Sequence, residues 1–288
     1  MAHKQILANL HMFDAGSVSR LIRCAATLLA TTCASAGLLV CFAVMATAQT
    51  PTVTPPPPSE GADSDPTRPI VWSLREEYYN LRGEAWNNAL VFRVDRAVFK
   101  EKPLVPGNRG ILTRLDIPFV AGGRPDGTSA GLGDIYAQAL LIPYLAKQFA
   151  IVAGSGISLP TATDHRLGTG KLTIAPVAAP VWFIPQRGLF FVKVQDFISV
   201  AGAGDRPDLH YMTITPLLVW RLKGKPYWVQ LDAETQTNWN ADAHTGYKAG
   251  FLVGRITKKR GIWLKVEVGF GPYRVQTFAI KTSVFRVR

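Results

Sequence analysis

Residues 227–239, YWVQLDAETQTNW, restrict the fold more than any other stretch of this chain. Tyr227, Val229, Leu231, Ala233, Thr235, Thr237 and Trp239 fall on one side of an extended backbone. Trp228, Gln230, Asp232, Glu234, Gln236 and Asn238 fall on the other. A period of two marks a strand with one oily and one wet face. The segment runs for 13 residues. Strands of soluble domains average about 5 or 6, and a strand that crosses a bilayer needs about 9–11. Aromatic rings close both ends of the oily face, at the depth where amphipathic rings meet lipid headgroups. The spacing predicts a membrane-spanning strand, and around it an all-β, antiparallel transmembrane barrel.

Composition agrees with this. Charged residues make up 18% of the 288 residues, against about 25% in soluble domains. The mean hydropathy is only +0.11, as expected when apolar positions alternate with polar ones instead of forming helical runs.

Residues 1–48 form an expected signal peptide. Lys4, Arg20 and Arg23 supply positive charge, an apolar run follows from Cys24 to Met45, and Ala46-Thr47-Ala48 offers a cleavage site. An uncleaved membrane anchor is the alternative. All three cysteines, Cys24, Cys33 and Cys41, lie in this segment. The mature chain would then have no thiol for a disulfide, a soft metal or nucleophilic catalysis. Removal also takes Lys4, Arg20, Arg23 and Asp14, so 32 cations become 29, 20 acids become 19, and the net charge is +10. Such a charge often signals nucleic acid, but an exported chain meets none. Export without cysteines fits the envelope of a Gram-negative bacterium, with localisation in the outer membrane after cleavage near Ala48. Residues 49–69, rich in proline and including Pro55–Pro58, read as a flexible periplasmic linker.

From residue 70 to 288, strand-like segments alternate with turn signals. The expected strands are Ile70–Asn80, Trp86–Phe99, Gly110–Val120, Asp134–Leu145, Phe149–Leu159 and Leu172–Ile184. They continue with Leu189–Val200, Leu209–Leu222, Tyr227–Trp239, Gly246–Ile256, Ile262–Phe270 and Phe278–Val287. Twelve is an even number, as in single-chain bacterial barrels, and ten is the fallback. The first segment carries Arg75, Glu76 and Glu77 and also reads as a short helix or plug element. Long connections at Ala121–Gly133, Pro160–Lys171, Ala201–Asp208 and Asn240–Thr245 alternate with short ones at Ala146–Gln148, Pro185–Gly188, Lys223–Pro226 and Thr257–Gly261. Long outer loops and short periplasmic turns are the barrel pattern. Pro176 and Pro180 predict a bulge or kink, because proline donates nothing to a ladder. Asp196 shares a face with Phe190, Val192, Val194 and Ile198, which predicts either a bulge or a place near the rim.

Charges fall on the inward parity. The expected pore-lining residues are Arg93, Asp95, Arg114, Asp116, Lys193, Gln195, Asp232, Glu234, Lys248, Lys265 and Glu267. They suit a wet lumen, or ion pairs that stabilise a packed interior. Lys147, Arg187, Lys223, Lys225, Lys258, Lys259 and Arg260 sit in the short turns, either simply solvated or facing anionic headgroups and envelope polymers.

Signals for catalysis are weak. His165, His210 and His244 show no metal-ligand spacing, so no metal or other cofactor is expected. A membrane-embedded hydrolase would pair Ser199 with His210. Gly168-Thr169-Gly170-Lys171 lacks the phosphate-loop spacing and reads as a flexible outer loop. Asp126, Asp164, Asp205 and Asp208 offer weak ligands to a hard cation. No enzymatic activity is expected.

Gly131-Leu132-Gly133-Asp134-Ile135 follows Asp116-Ile117-Pro118-Phe119. Then come Gly154-Ser155-Gly156-Ile157-Ser158-Leu159-Pro160-Thr161, Leu167-Gly168-Thr169-Gly170 and Ile174-Ala175-Pro176. This order, spread over residues 84–288, resembles the outer-membrane transporters grouped under the meta-cleavage pathway of phenol degradation. The resemblance implies an outer-membrane β-barrel that moves small, often hydrophobic or aromatic compounds, and it brings no catalytic residues. Family members usually end in Phe or Trp, whereas this chain ends Phe285-Arg286-Val287-Arg288, with Phe285 opposite in register to Phe278 and Ile280. The expected function is therefore an outer-membrane channel or transporter of an unspecified small solute. Its partners would be outer-membrane lipids and, during biogenesis, the barrel-assembly machinery, with no nucleic acid. The rivals are a plugged structural barrel, an embedded hydrolase and a soluble periplasmic β-sandwich.

Overall fold

A computed structural model describes residues 70–99 and 110–287. The expected signal peptide, the linker and the Glu101–Arg109 connection lie outside the described residues. Thirteen strands form one antiparallel sheet. They are β1 (Ile70–Leu81), β2 (Ala85–Phe99), β3 (Gly110–Arg124), β4 (Gly127–Leu132), β5 (Ile135–Leu145), β6 (Phe149–Leu159), β7 (Lys171–Ile184), β8 (Gly188–Gly202), β9 (His210–Arg221), β10 (Tyr227–Asn238), β11 (His244–Thr257), β12 (Arg260–Phe270) and β13 (Gln276–Val287). The order is β2-β1-β13-β12-β11-β10-β9-β8-β7-β6-β5-β3-β4, and the additional β2–β3 pairing closes the sheet on itself. The short β4 and the longer β5 both pair with β3, at opposite ends of it, so they form one interrupted stave. The barrel has twelve staves.

The alternation read from residues 227–239 holds in space. Gln230 and Asp232 are buried inside, while Leu231 is 52% exposed on the outside. Large apolar side chains point outward all round. Leu90, Phe119, Phe251, Ile262 and Val268 are 45–57% exposed. A soluble monomer rarely exposes such a contiguous apolar surface, but a lipid-facing belt requires one. Tyr227 and Trp239 close that belt on β10, both exposed. The oily faces therefore line the outside of one closed sheet and are not sandwiched between two.

Four local expectations change. First, the long Ala121–Gly133 connection contains a hairpin. β3 continues to Arg124 and pairs with β4 from Phe119↔Leu132 to Arg124↔Gly127, leaving only Pro125-Asp126 as the tip. Second, β1 is a strand, with Arg75 and Glu77 inward and Leu74 and Tyr78 outward. Third, β7 keeps one register with β8 through Pro176 and Pro180, and its bulge lies at Leu172/Thr173. The prolines leave gaps in the β7–β8 pairing, while the β6 pairing runs unbroken past them. Fourth, Asp196 stands opposite Met212 near the start of β9, and its Oδ2 lies 3.3 Å from His210 Nε2. This is the rim alternative, with no bulge between β8 and β9.

Candidate functional site

Inward side chains divide the lumen into two levels. At the short-turn end, one packed apolar cluster takes residues from eight strands. It includes Ile70, Leu189, Phe191, Leu217, Val219, Trp228, Leu252, Trp263 and Phe285, with Phe183 and Val181 packed against it. Trp228, Val219, Leu252 and Phe285 are all at most 1% exposed. The large rings fit because glycines stand beside them. Trp228 pairs across the ladder with Gly254 and Phe285 with Gly261. A Cβ at either glycine would collide with the ring. Below this layer, at the short turns, a cavity of about 250 Å³ is lined by Gln186, Arg221, Lys223, Lys225, Tyr227 and Trp228.

Above the apolar layer, one half of the wall is a chain of ion pairs. On β1–β3, Arg93 grips Asp116 with two parallel bonds of 2.6 Å each. Arg75 adds a 3.4 Å contact to the same carboxylate and lies 3.3 Å from Glu77. Tyr79 donates to Glu77 at 2.5 Å, and Arg114 donates to Asp95 at 2.9 Å. On β10–β13, Lys265 bridges Asp232 at 3.0 Å and Glu267 at 2.9 Å. Lys281 holds the other Glu267 oxygen at 3.0 Å, and Lys248 reaches Glu234 at 3.1 Å. Arg274 joins Glu234 and Gln236 at 2.8 and 2.7 Å. The Lys281 ammonium stands 4.9 Å above the Tyr79 ring and links the two groups. Charges of both signs alternate along this wall, and most are buried, with Asp116 and Glu267 each 1% exposed.

The other half of the wall, on β5–β9, carries few charges, with Lys193 facing inward from β8. Gln138 and Gln195 each donate to the Tyr136 hydroxyl at 3.0 Å. Phe197 and Tyr211 stack with centroids 4.6 Å apart. Thr213 and Thr215 face the same space and are buried.

All eleven sequence-derived lining residues fall on the inward parity. Nine belong to the ion pairs described above, and Gln195 to the Tyr136 group. Lys193 lies inward on β8 beside Thr215. Sequence reasoning missed Arg75, Glu77, Tyr79, Arg274 and Lys281. Lys281 and Phe285 were legible, because they share a parity with Ala279 and Ser283 on β13. Trp228 and Trp263 stood on faces read as wet, and nothing in alternation alone marks them as a seal.

The mouth at the long-loop end is fastened, which corrects the flexible-loop expectation for Gly168-Thr169-Gly170-Lys171. The stave breaks at Gly133-Asp134, and this frees Asp134 from the ladder. Its carboxylate accepts bonds from Thr169 N at 2.6 Å, Thr169 Oγ1 at 2.8 Å and Ala162 N at 3.3 Å. Thr161 Oγ1 donates to Gly133 O and accepts from Ile135 N, both at 2.9 Å. Leu167 is 3% exposed and lies against Gly131 and Gly133. Arg206 donates to His165 O at 2.6 Å and to Gly168 O at 2.9 Å. The four loop aspartates do not gather around a cation. Asp126 pairs with Arg166 and Asp208 with Lys171, and among the described residues no group of acidic, His or Cys side chains has metal-binding geometry. The hydrogen bond from Lys171 holds the Asp208 carboxyl below its ordinary range. Asp164 is lowered chiefly by the backbone N–H of Arg166. Ser199 Oγ bonds to Leu209 N at 2.9 Å and to Asp208 at 3.4 Å, while His210 turns to Asp196. These two side chains do not form a hydrolase pair.

No family model and no curated protein matches the chain. Solved structures do. An outer membrane channel from Pseudomonas putida F1 superposes with a TM-score of 0.59 at 12% identity, covering 80% of this chain and 99% of that one. The KdgM porin gives 0.45 at 8% identity over 73% and 97%. Outer membrane phospholipase A from Escherichia coli gives 0.45 at 13% identity over 76% and 94%. The chain shares the β-barrel fold of that outer membrane channel.

Proposed function

We propose that this chain is an outer-membrane channel for small solutes, with a path that runs along the charged wall and is shut at the short-turn end by the apolar layer. The observation that carries this reading is the ion-pair wall itself. Buried ion pairs seldom stabilise more than well-packed apolar residues of similar volume, so a fold needing only a filled interior has little use for the three lysines around Glu267. A path for polar solutes does use them. The channel named in the Pseudomonas structure supports the same reading. The solutes are small, because a twelve-stave barrel is narrower than the larger porins. The aromatic side of the lumen, with Phe197 stacked on Tyr211, suits hydrophobic or aromatic compounds of the kind implied by the resemblance to phenol meta-cleavage transporters. Catalysis is not part of this proposal.

One observation favours a second reading. The apolar layer draws on eight of the twelve staves, as a plugged structural barrel would require. Solute-driven swelling of liposomes holding the full chain separates the two. Entry of small phenols or polyols faster than in protein-free liposomes supports a channel. A folded, inserted protein that leaves the swelling rate unchanged for every solute supports the plugged barrel.

A further inference from the structure

Among the described residues, the short turns carry charge of one sign. The described residues of its turns, 146–148, 185–187, 222–226 and 258–259, include cations and no carboxylate. The arrangement tightens on β11–β13. Arg260 and Arg286 stand directly opposite each other across the β12–β13 ladder, and both are exposed on the outward parity. Like charges placed opposite one another on a sheet repel, and among the described residues no carboxylate is paired with either. Trp72 lies beside Arg286 on the next strand. Arg255 lies beside Ile262 on β11, with its guanidinium 5.6 Å above the Tyr227 ring. Ile262 and Val284, one step further into the belt, are 56% and 50% exposed. The two guanidiniums thus stand at the aromatic girdle, with bare apolar wall directly above them.

We propose that Arg260 and Arg286, assisted by Arg255, bind the phosphate of an anionic glycerophospholipid in the leaflet at the short-turn face, whose acyl chains lie over Ile262 and Val284. Two facing guanidiniums match the geometry of one phosphate, since each presents a planar fork of donors. The anion removes the repulsion that the bare pair would carry. The aromatic neighbours fix the depth at which a headgroup lies. The long-loop rim differs, because its cations Arg166, Lys171 and Arg274 are paired with acids and Arg206 is held by backbone carbonyls. The inference rests on the barrel spanning a membrane and is independent of whether it conducts.

The test is native mass spectrometry of the full chain in non-ionic detergent, titrated with phosphatidylglycerol, with phosphatidylcholine and with inorganic phosphate. The wild type is expected to hold phosphatidylglycerol in preference to phosphatidylcholine. R260Q/R286Q should bind it about 30-fold more weakly, the loss for two headgroup-level cations. R187Q/K147Q, elsewhere on the rim, should bind as the wild type does. R260K/R286K, which keeps charge but not the fork, serves if the glutamine variant does not fold. Equal binding by the wild type and R260Q/R286Q overturns the site. Displacement of the lipid by equimolar inorganic phosphate overturns the lipid as its occupant. Heat-modifiable gel mobility is read on the same samples. A chain that needs no detergent would refute the membrane barrel itself, a failure distinct from the loss of this site.

Discussion

The two levels of the lumen are built from the same strands and the same alternation, yet they do opposite things. At the short-turn end, inward positions of β8–β13 carry Phe191, Leu217, Trp228, Leu252, Trp263 and Phe285, which pack into a dry layer. A few residues along the same strands, the inward positions carry Gln195, Thr213, Asp232, Lys248, Lys265 and Lys281. The apolar layer is stabilised by burial alone and tolerates no water. The charged wall depends on partners, because an unpaired buried charge costs several kcal/mol. Parity decides which side chains face in, and it says nothing about whether the lumen at that level is open.

The largest expected effect comes from removing the seal. Trp228→Ala with Trp263→Ala should convert a nearly silent barrel into a conducting one. Each truncation should also cost about 3–5 kcal/mol of stability, the range for a buried Trp→Ala, read by denaturant unfolding in detergent micelles. Next comes the wall. Asp116→Asn leaves Arg93 and Arg75 facing each other without their shared carboxylate. That should destabilise the barrel by about 3–5 kcal/mol, whereas Asp95→Asn, whose pair with Arg114 is partly exposed, should cost much less. Equal losses in the two variants would erase the proposed difference between buried and accessible pairs.

A smaller effect concerns selectivity. Glu267 is shared by Lys248, Lys265 and Lys281, so Glu267→Gln should move permeability toward anions by roughly a few-fold. Reversal potentials in a salt gradient, measured in the unsealed background, check the sign. The smallest effect lies at the mouth. The Asp208 carboxyl is lowered from its unfolded value of 3.8 by Lys171. Its contribution is therefore complete above pH 3.8 and is lost as pH falls through the lower folded value. Hydrogen exchange in residues 203–209 should quicken only in that acid window, and Asp208→Asn should abolish the pH dependence.

The barrel was legible because lipid on one side and lumen on the other impose a period of two on every stave, and the inward parity of eleven positions followed from it. β4 was hidden because Gly127–Leu132 is short, small and glycine-rich, like a loop. Arg75 and Glu77 were obscured by their neighbour Glu76, whose charge blurs the alternation of β1. The proline-rich face of β7 looked broken, but it keeps its register because its apolar inward residues Ala175, Val177 and Ala179 hold it on the wall. The Asp134 clasp was within reach as glycine-rich fragments flanking residues 131–134 and 167–170. Its geometry depends on a stave interruption that pairing alone reveals.

The most direct measurement is single-channel conductance in planar bilayers, comparing the full-length wild type with Trp228→Ala/Trp263→Ala, both first confirmed as folded by heat-modifiable mobility. A charged path sealed by an apolar layer predicts rare, small openings for the wild type and sustained steps for the variant. A folded variant as silent as the wild type, or a wild type already open to the same level, would contradict it.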